Sequence, residues 1–171
     1  MRSPKMDPLM KSLRLPILAA LLGFLIAALL PFPAPAAEIS WVGYARGVRL
    51  ARESNRKVLI YFRTARCMFC EHMERKTFAA PDVADYINDH YIPIHVDADL
   101  ERDIASTFRV AGFPTSWFLS ATGKPIRALP GFVAPRRYLH VLQYIETEAY
   151  QDMTFKAFMD RKGKTEKENN G

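Results

Sequence analysis

The reading turns on one stretch: Val58-Leu59-Ile60-Tyr61-Phe62-Arg63-Thr64-Ala65-Arg66-Cys67-Met68-Phe69-Cys70-Glu71-His72. Val58 to Phe62 is apolar throughout, with no polar alternation, the pattern of a strand buried on both faces. Arg63 to Arg66 forms a loop, and Cys67 opens a segment that reads as helix to Phe78. The chain has 2 cysteines in 171 residues, and both lie here. A Cys-x-x-Cys at a strand-to-helix junction is the arrangement that thiol–disulfide exchange uses. As a structural staple it would be poor, because so short a loop removes little entropy from the unfolded chain. A reversible redox pair is the better use. Exchange needs a thiolate. The N–H groups and dipole at a helix start favour an anion at Cys67. Arg66 beside it, with Arg63 close by, tunes the thiol pKa downward. Cys67 is thus expected to be the exposed nucleophile and Cys70, one turn inward, the resolving thiol. Met68 and Phe69 between them offer a docking partner an apolar surface.

Apolar content of 49% and charged content of 25% suit one globular domain with a real core. The net charge is +6, and half of it sits in residues 1–36. The body is only mildly basic and shows no basic stripe interleaved with aromatics, so nucleic acid is not an expected partner. Arg2, Lys5, Lys11 and Arg14 precede an apolar run from Leu15 to Leu30, and Ala34-Pro35-Ala36 fits the small-x-small cleavage rule before Ala37. Residues 1–36 are expected to be a signal peptide or, if uncleaved, an N-terminal membrane anchor, and either exports the body.

Residues 37–150 read as the folded domain. Ile39 to Asn55 has helical spacing in Trp41, Tyr44, Ala45 and Val48, with Ser40 as N-cap, although Gly43 and Gly47 interrupt it. A helix starts at Pro81, and Tyr91 to Val96 is a second strand, weakened by Pro93. A short helix over Leu100 to Phe108 leads to the turn-rich Val110-Ala111-Gly112-Phe113-Pro114. Thr115 to Leu119 and Pro125 to Leu129 form a hairpin, and Pro135 to about Tyr150 is a last helix. Residues 151–171 read as a polar tail, disordered from Arg161 onward. Strands alternating with helices, then a hairpin, predict an α/β sandwich: a central mixed β-sheet with helices on both faces.

The strand, the Cys-x-x-Cys and the downstream Gly112-Phe113-Pro114-Thr115 resemble the thioredoxin superfamily. The run Cys67-x-x-Cys70-x-x-Met73-Glu74-x-x-Thr77-Phe78-x-x-Pro81-x-Val83 is similar to the C-terminal domain of DsbD-type periplasmic thiol:disulfide interchange proteins. The resemblance implies a thioredoxin-like fold, a cis peptide before Pro114, and a substrate groove formed by Pro114, Phe113, Met68 and Phe69. It also implies a periplasmic reductase or electron relay that exchanges disulfides with exported proteins and takes electrons from a membrane donor. No cofactor is expected. Three residues depart from the family's pattern. Arg66 stands where an aromatic is usual, the bulky Phe113 precedes the proline, and Tyr61 replaces a buried acid that relays a proton to the resolving thiol. Tyr61 with His95 on the next strand is a candidate substitute relay.

Two other readings stay open. Cys67, Cys70, His72, Met68 and Met73 are soft donors suited to copper or zinc, although two residues that are two apart on a helix do not share a face. The same pair could also serve an oxidase, an isomerase or a chaperone. Asp97, Asp99, Glu101 and Asp103 read as helix-capping and solvated carboxylates, and His90 and His140 as surface or packing residues.

Overall fold

The computed structural model describes residues 38–168, with side chains as far as Thr165. The expected leader lies outside the described residues. Strand β1 (Lys57–Arg63) is central. It pairs in parallel with β2 (Tyr91–Asp97) and antiparallel with β3 (Thr115–Leu119), and β3 pairs antiparallel with β4 (Pro125–Pro130). The order across the sheet is β2-β1-β3-β4. Residues on β1 alternate between two cores, because successive side chains leave a strand on opposite faces. Leu59 and Tyr61 join the side chains of α2 (Met68–Met73), α3 (Pro81–His90), α5 (Pro135–Glu146) and α6 (Phe155–Glu168). Val58, Ile60 and Phe62 join those of α1 (Tyr44–Ser54) and α4 (Arg102–Thr107). A mixed sheet covered on both faces is the α/β architecture that the strand and helix pattern predicts.

Several boundaries differ from the sequence expectation, each for a packing reason. The first helix begins at Tyr44 rather than near Ile39. Before it, Val42 lies along the edge of β2, its N–H donating to Pro93 O at 3.0 Å and its carbonyl accepting from His95 N–H at 3.0 Å. Backbone groups at a sheet edge need partners, and this requirement outweighs local helical spacing. Pro93 is tolerated because this edge carries only the isolated Val42 bridge. The helix expected from Cys67 to Phe78 changes character. After α2 it becomes a π-helical turn, Glu74–Phe78, closed by Ala79 N–H on Glu74 O at 3.1 Å. The turn buries Thr77 and Phe78, and Thr77 Oγ1 donates to Val133 O at 2.6 Å. α4 is shorter than expected, leaving Leu100 exposed, and α5 stops at Glu146, followed by a 3-10 turn, Ala149–Gln151.

The segment expected as a disordered polar tail instead carries α6 as far as Glu168, while residues 169–171 lie outside the described residues. Phe155 and Phe158 pack on Tyr144 of α5 with ring centroids 5.4 Å apart in each case. Apolar residues at i and i+3 make one helical face, and that face docks despite the surrounding lysines.

Gly47 marks where α1 crosses β2. A Cβ there would sit 2.3 Å from Ile94 Cγ1, a fully buried side chain with nowhere to move. Gly47→Ala is therefore predicted to destabilise the fold by about 1–3 kcal/mol through overpacking. Gly43→Ala, with open space around its Cβ, meets no clash and should cost about 1 kcal/mol or less, the loss of a glycine N-cap that alanine replaces poorly. Denaturant midpoints of the two variants test the contrast.

Candidate active site

β1 ends at Arg63, and a three-residue loop carries the chain to Cys67. Backbone bonds hold this loop against the end of β2: Ala98 N–H donates to Arg63 O at 2.8 Å, and Ala65 N–H donates to Asp99 Oδ2 at 2.8 Å. Cys67 is the N-cap of α2. Its carbonyl accepts from the N–H groups of Cys70 and Glu71, and its Sγ accepts from Cys70 N–H at 3.1 Å. A sulfur at this position meets unsatisfied helix donors, which favour a thiolate. Cys67 and Cys70 form a disulfide with Cα atoms 5.2 Å apart. Cys67, expected to be exposed, is half-buried, and Cys70, expected one turn inward, is fully buried. Arg66 is exposed directly before Cys67. Arg63 turns inward, its Nε 3.2 Å from Glu74 Oε1, so its charge is compensated rather than offered to the nucleophile.

The Phe113–Pro114 peptide is cis, as the resemblance implies. Thr115 follows it and pairs with Phe62 on β1, so Pro114 lies at the same end of the sheet as the cysteines. Gly131 N–H donates to Pro114 O at 2.7 Å and ties the next loop to it. Phe113 is half-buried between both cores rather than projecting freely. Met68 and Phe69, between the two cysteines, are 72% and 59% exposed. Phe132 is a further exposed aromatic near this end, its ring tilted against that of His72 with centroids 4.6 Å apart. The sequence reading passed over Phe132. Its signal is an aromatic directly after Gly131, a glycine with φ of 84° at a strand end.

Behind Cys70 lies a cavity of about 540 Å³ lined by Trp41, Tyr61, Arg63, Glu74, Phe78 and His95. Tyr61 occupies the position of the family's buried acid. Its hydroxyl donates to Cys70 O at 3.3 Å, and burial, aided by the Glu74 carboxylate, pushes its pKa far up. A phenol so held is a donor that braces α2, not a base. The Tyr61 and His95 rings are tilted against each other with centroids 5.9 Å apart, and the hydrogen bond of the Tyr61 hydroxyl goes to the Cys70 carbonyl rather than to the candidate relay partner His95. Glu74 lines this cavity, as does Glu38. The position of Glu74 depends on the π turn, which spacing alone does not reveal.

The soft-metal alternative loses its geometry. Met73 is in the core, Cys70 is enclosed, and His72 faces outward onto Phe132. Among the described residues no group of three or more His, Cys, Asp or Glu converges.

His95 has its pKa lowered, chiefly by burial and then by Arg63, against smaller opposing effects of Glu74, Asp97 and Glu101. The unfolded chain therefore binds a proton at His95 near its ordinary value of about 6.5, before the folded protein does. Stability tied to neutral His95 is present above that pH and lost as pH falls below it. His95→Gln should flatten the fall in stability below about pH 6.5, read by urea midpoints. Tyr61→Phe should cost about 1 kcal/mol by the same measure, the value of one buried hydrogen bond.

The sequence matches the Thioredoxin-like domain family over residues 44–146. An uncharacterized protein of Archaeoglobus fulgidus is 26% identical over 62 residues, 36% of this chain and 49% of that one, so the chain spans about half the length of the curated relative it matches. Among solved structures the chain is similar to a DsbH oxidoreductase, with a TM-score of 0.59 and 19% identity over 67% of this chain and 90% of that one. It is also similar to a thioredoxin from Thermus thermophilus, with a TM-score of 0.59 and 24% identity over 63% and 87%. These structures share the fold. Through that match the chain belongs to the thioredoxin-like domain family, with its Cys67–Cys70 disulfide inside the matched residues.

Proposed function

We propose that the protein is an exported, periplasmic reductase or electron relay for protein disulfides. The observation that carries the reading is the asymmetry of the pair, a half-exposed Cys67 capping a helix and a buried Cys70, beside exposed Met68 and Phe69. In the reduced protein the Cys67 thiolate attacks one sulfur of a substrate disulfide. That S–S bond breaks, a mixed disulfide forms, and the departing substrate thiolate takes up a proton. Cys70 then loses its proton and attacks Cys67 Sγ. The second substrate thiolate leaves, and the Cys67–Cys70 disulfide remains. Two electrons pass to the substrate, and a dithiol donor at the membrane returns two to the pair.

Export rests on the positive, apolar leader and its cleavage-like Ala34-Pro35-Ala36. The reductive direction rests on the DsbD-like run from Cys67 to Val83. The short path from Cys70 to Pro114, which holds only the π turn, α3, β2 and α4, is in keeping with it.

A Cys70→Ser variant expressed with its leader should accumulate mixed disulfides on Cys67 that dithiothreitol releases, while Cys67→Ser accumulates none. The purified wild type should accelerate insulin reduction by dithiothreitol, and Cys67→Ser should lose at least a hundredfold of that rate, the scale of removing a covalent nucleophile. If the wild type instead oxidises a reduced protein dithiol and leaves insulin intact, the oxidase alternative replaces this reading.

A further inference from the structure

We propose that the cleft between α5 and α6 binds a single-chain anionic amphiphile, a hydrocarbon tail ending in a phosphate or carboxylate. This goes beyond the redox reading and does not rest on it. The cleft holds about 660 Å³, within the roughly 300–1,000 Å³ of small-molecule sites. Its floor is apolar, formed by half-buried Phe155 and Met159 of α6 with Ala134 at the start of α5. Its rim is cationic on both sides, with Arg136 and Arg137 from α5 and Lys156 and Lys162 from α6.

The charges are not explained by the fold. Lys156 has a counter-charge, Asp160 at 2.8 Å. Lys162 donates to the neutral amide oxygen of Gln143 on α5. Among the described residues Arg136 and Arg137 have no ion-pair partner. They also stand in the first turn of α5, which has no acidic residue there and no side-chain cap. Cations at a helix N-terminus oppose its dipole, so this arrangement lowers the stability of α5 unless an anion offsets it. Arg136 and Arg137, without an ion pair among the described residues, stand with Lys162 over an apolar floor and complement one ligand chemistry. The guanidinium forks suit a phosphate or carboxylate, and Phe155 and Met159 receive the chain. An inorganic anion would leave the floor unused, and a neutral lipid would leave the cations unused.

Octyl phosphate, kept below its micelle concentration, tests this with the full folded chain by calorimetric titration. The expected result is saturable 1:1 binding, at least tenfold tighter than inorganic phosphate or octyl glucoside. Arg136→Gln with Lys162→Gln should weaken it at least tenfold, and Met159→Gln, which keeps every charge, several-fold. Thermal unfolding of each variant establishes that it is folded. The rim residues are solvent-accessible, and Lys162→Gln alone provides a second charge test. The proposal is overturned by no saturable binding, by inorganic phosphate binding as tightly, or by folded variants that bind like wild type. Binding to phosphatidylglycerol vesicles without binding of monomeric octyl phosphate would also overturn it, since that is surface attraction rather than occupancy of the cleft.

Discussion

The redox pair depends on β1 being hydrogen-bonded on both sides and sealed on both faces. From Val58 to Phe62 every side chain is at most 1% exposed, and each large one contributes about 1.5–3 kcal/mol by leaving water. A strand so held cannot slip, because a one-residue shift would exchange its two faces. Its end is therefore a fixed point, and only three residues separate it from Cys67. Asp99 fixes that short loop by accepting from Ala65. The cis-Pro114 loop is positioned by the same strand through the pairing of Phe62 with Thr115. The Cys-x-x-Cys and the cis-Pro114 loop thus share one rigid reference.

The second support lies beneath the helix. Tyr61 reaches up to the Cys70 carbonyl, while Arg63 and Glu74 pair beside it. Trp41 covers this group, its ring 5.8 Å from Tyr61 and 5.2 Å from Phe78. A family that usually buries an acid here has, in this chain, a phenol that donates and an ion pair alongside. The consequence is mechanical as well as electrostatic. The backbone of the resolving cysteine is braced from below, while Cys67, at the lip, keeps its access to solvent.

How much of this the sequence disclosed follows from the kind of physics involved. β1 is legible because a continuous apolar run of that length has few other uses, and Cys67 and Cys70 because their spacing is chemical rather than structural. Pro114 in cis was legible only through family resemblance, since composition does not encode it. The start of α1 was misread because helical spacing in Trp41, Tyr44 and Val48 is local, whereas the need of the β2 edge for Val42 is not. α6 was hidden because lysines and glutamates dominate its composition, although Phe155, Phe158 and Met159 keep a helical period. The inward placement of Glu74 follows from a π turn that no spacing rule announces. Tyr61 stands out in the sequence as a phenol where an acid is expected, whereas its hydrogen bond to the Cys70 carbonyl is visible only in the structure.

The central claim is that helix capping and burial make the two cysteines chemically unequal. The direct measurement is the rate of iodoacetamide alkylation at each cysteine of the fully reduced protein from pH 4 to 10, resolved by mass spectrometry. The account predicts that Cys67 reacts first, with an apparent pKa below the free-thiol value of about 8.5, and that Cys70 stays protected until the protein unfolds. Equal reactivity of the two thiols, or a Cys67 pKa at or above the free value, would contradict it.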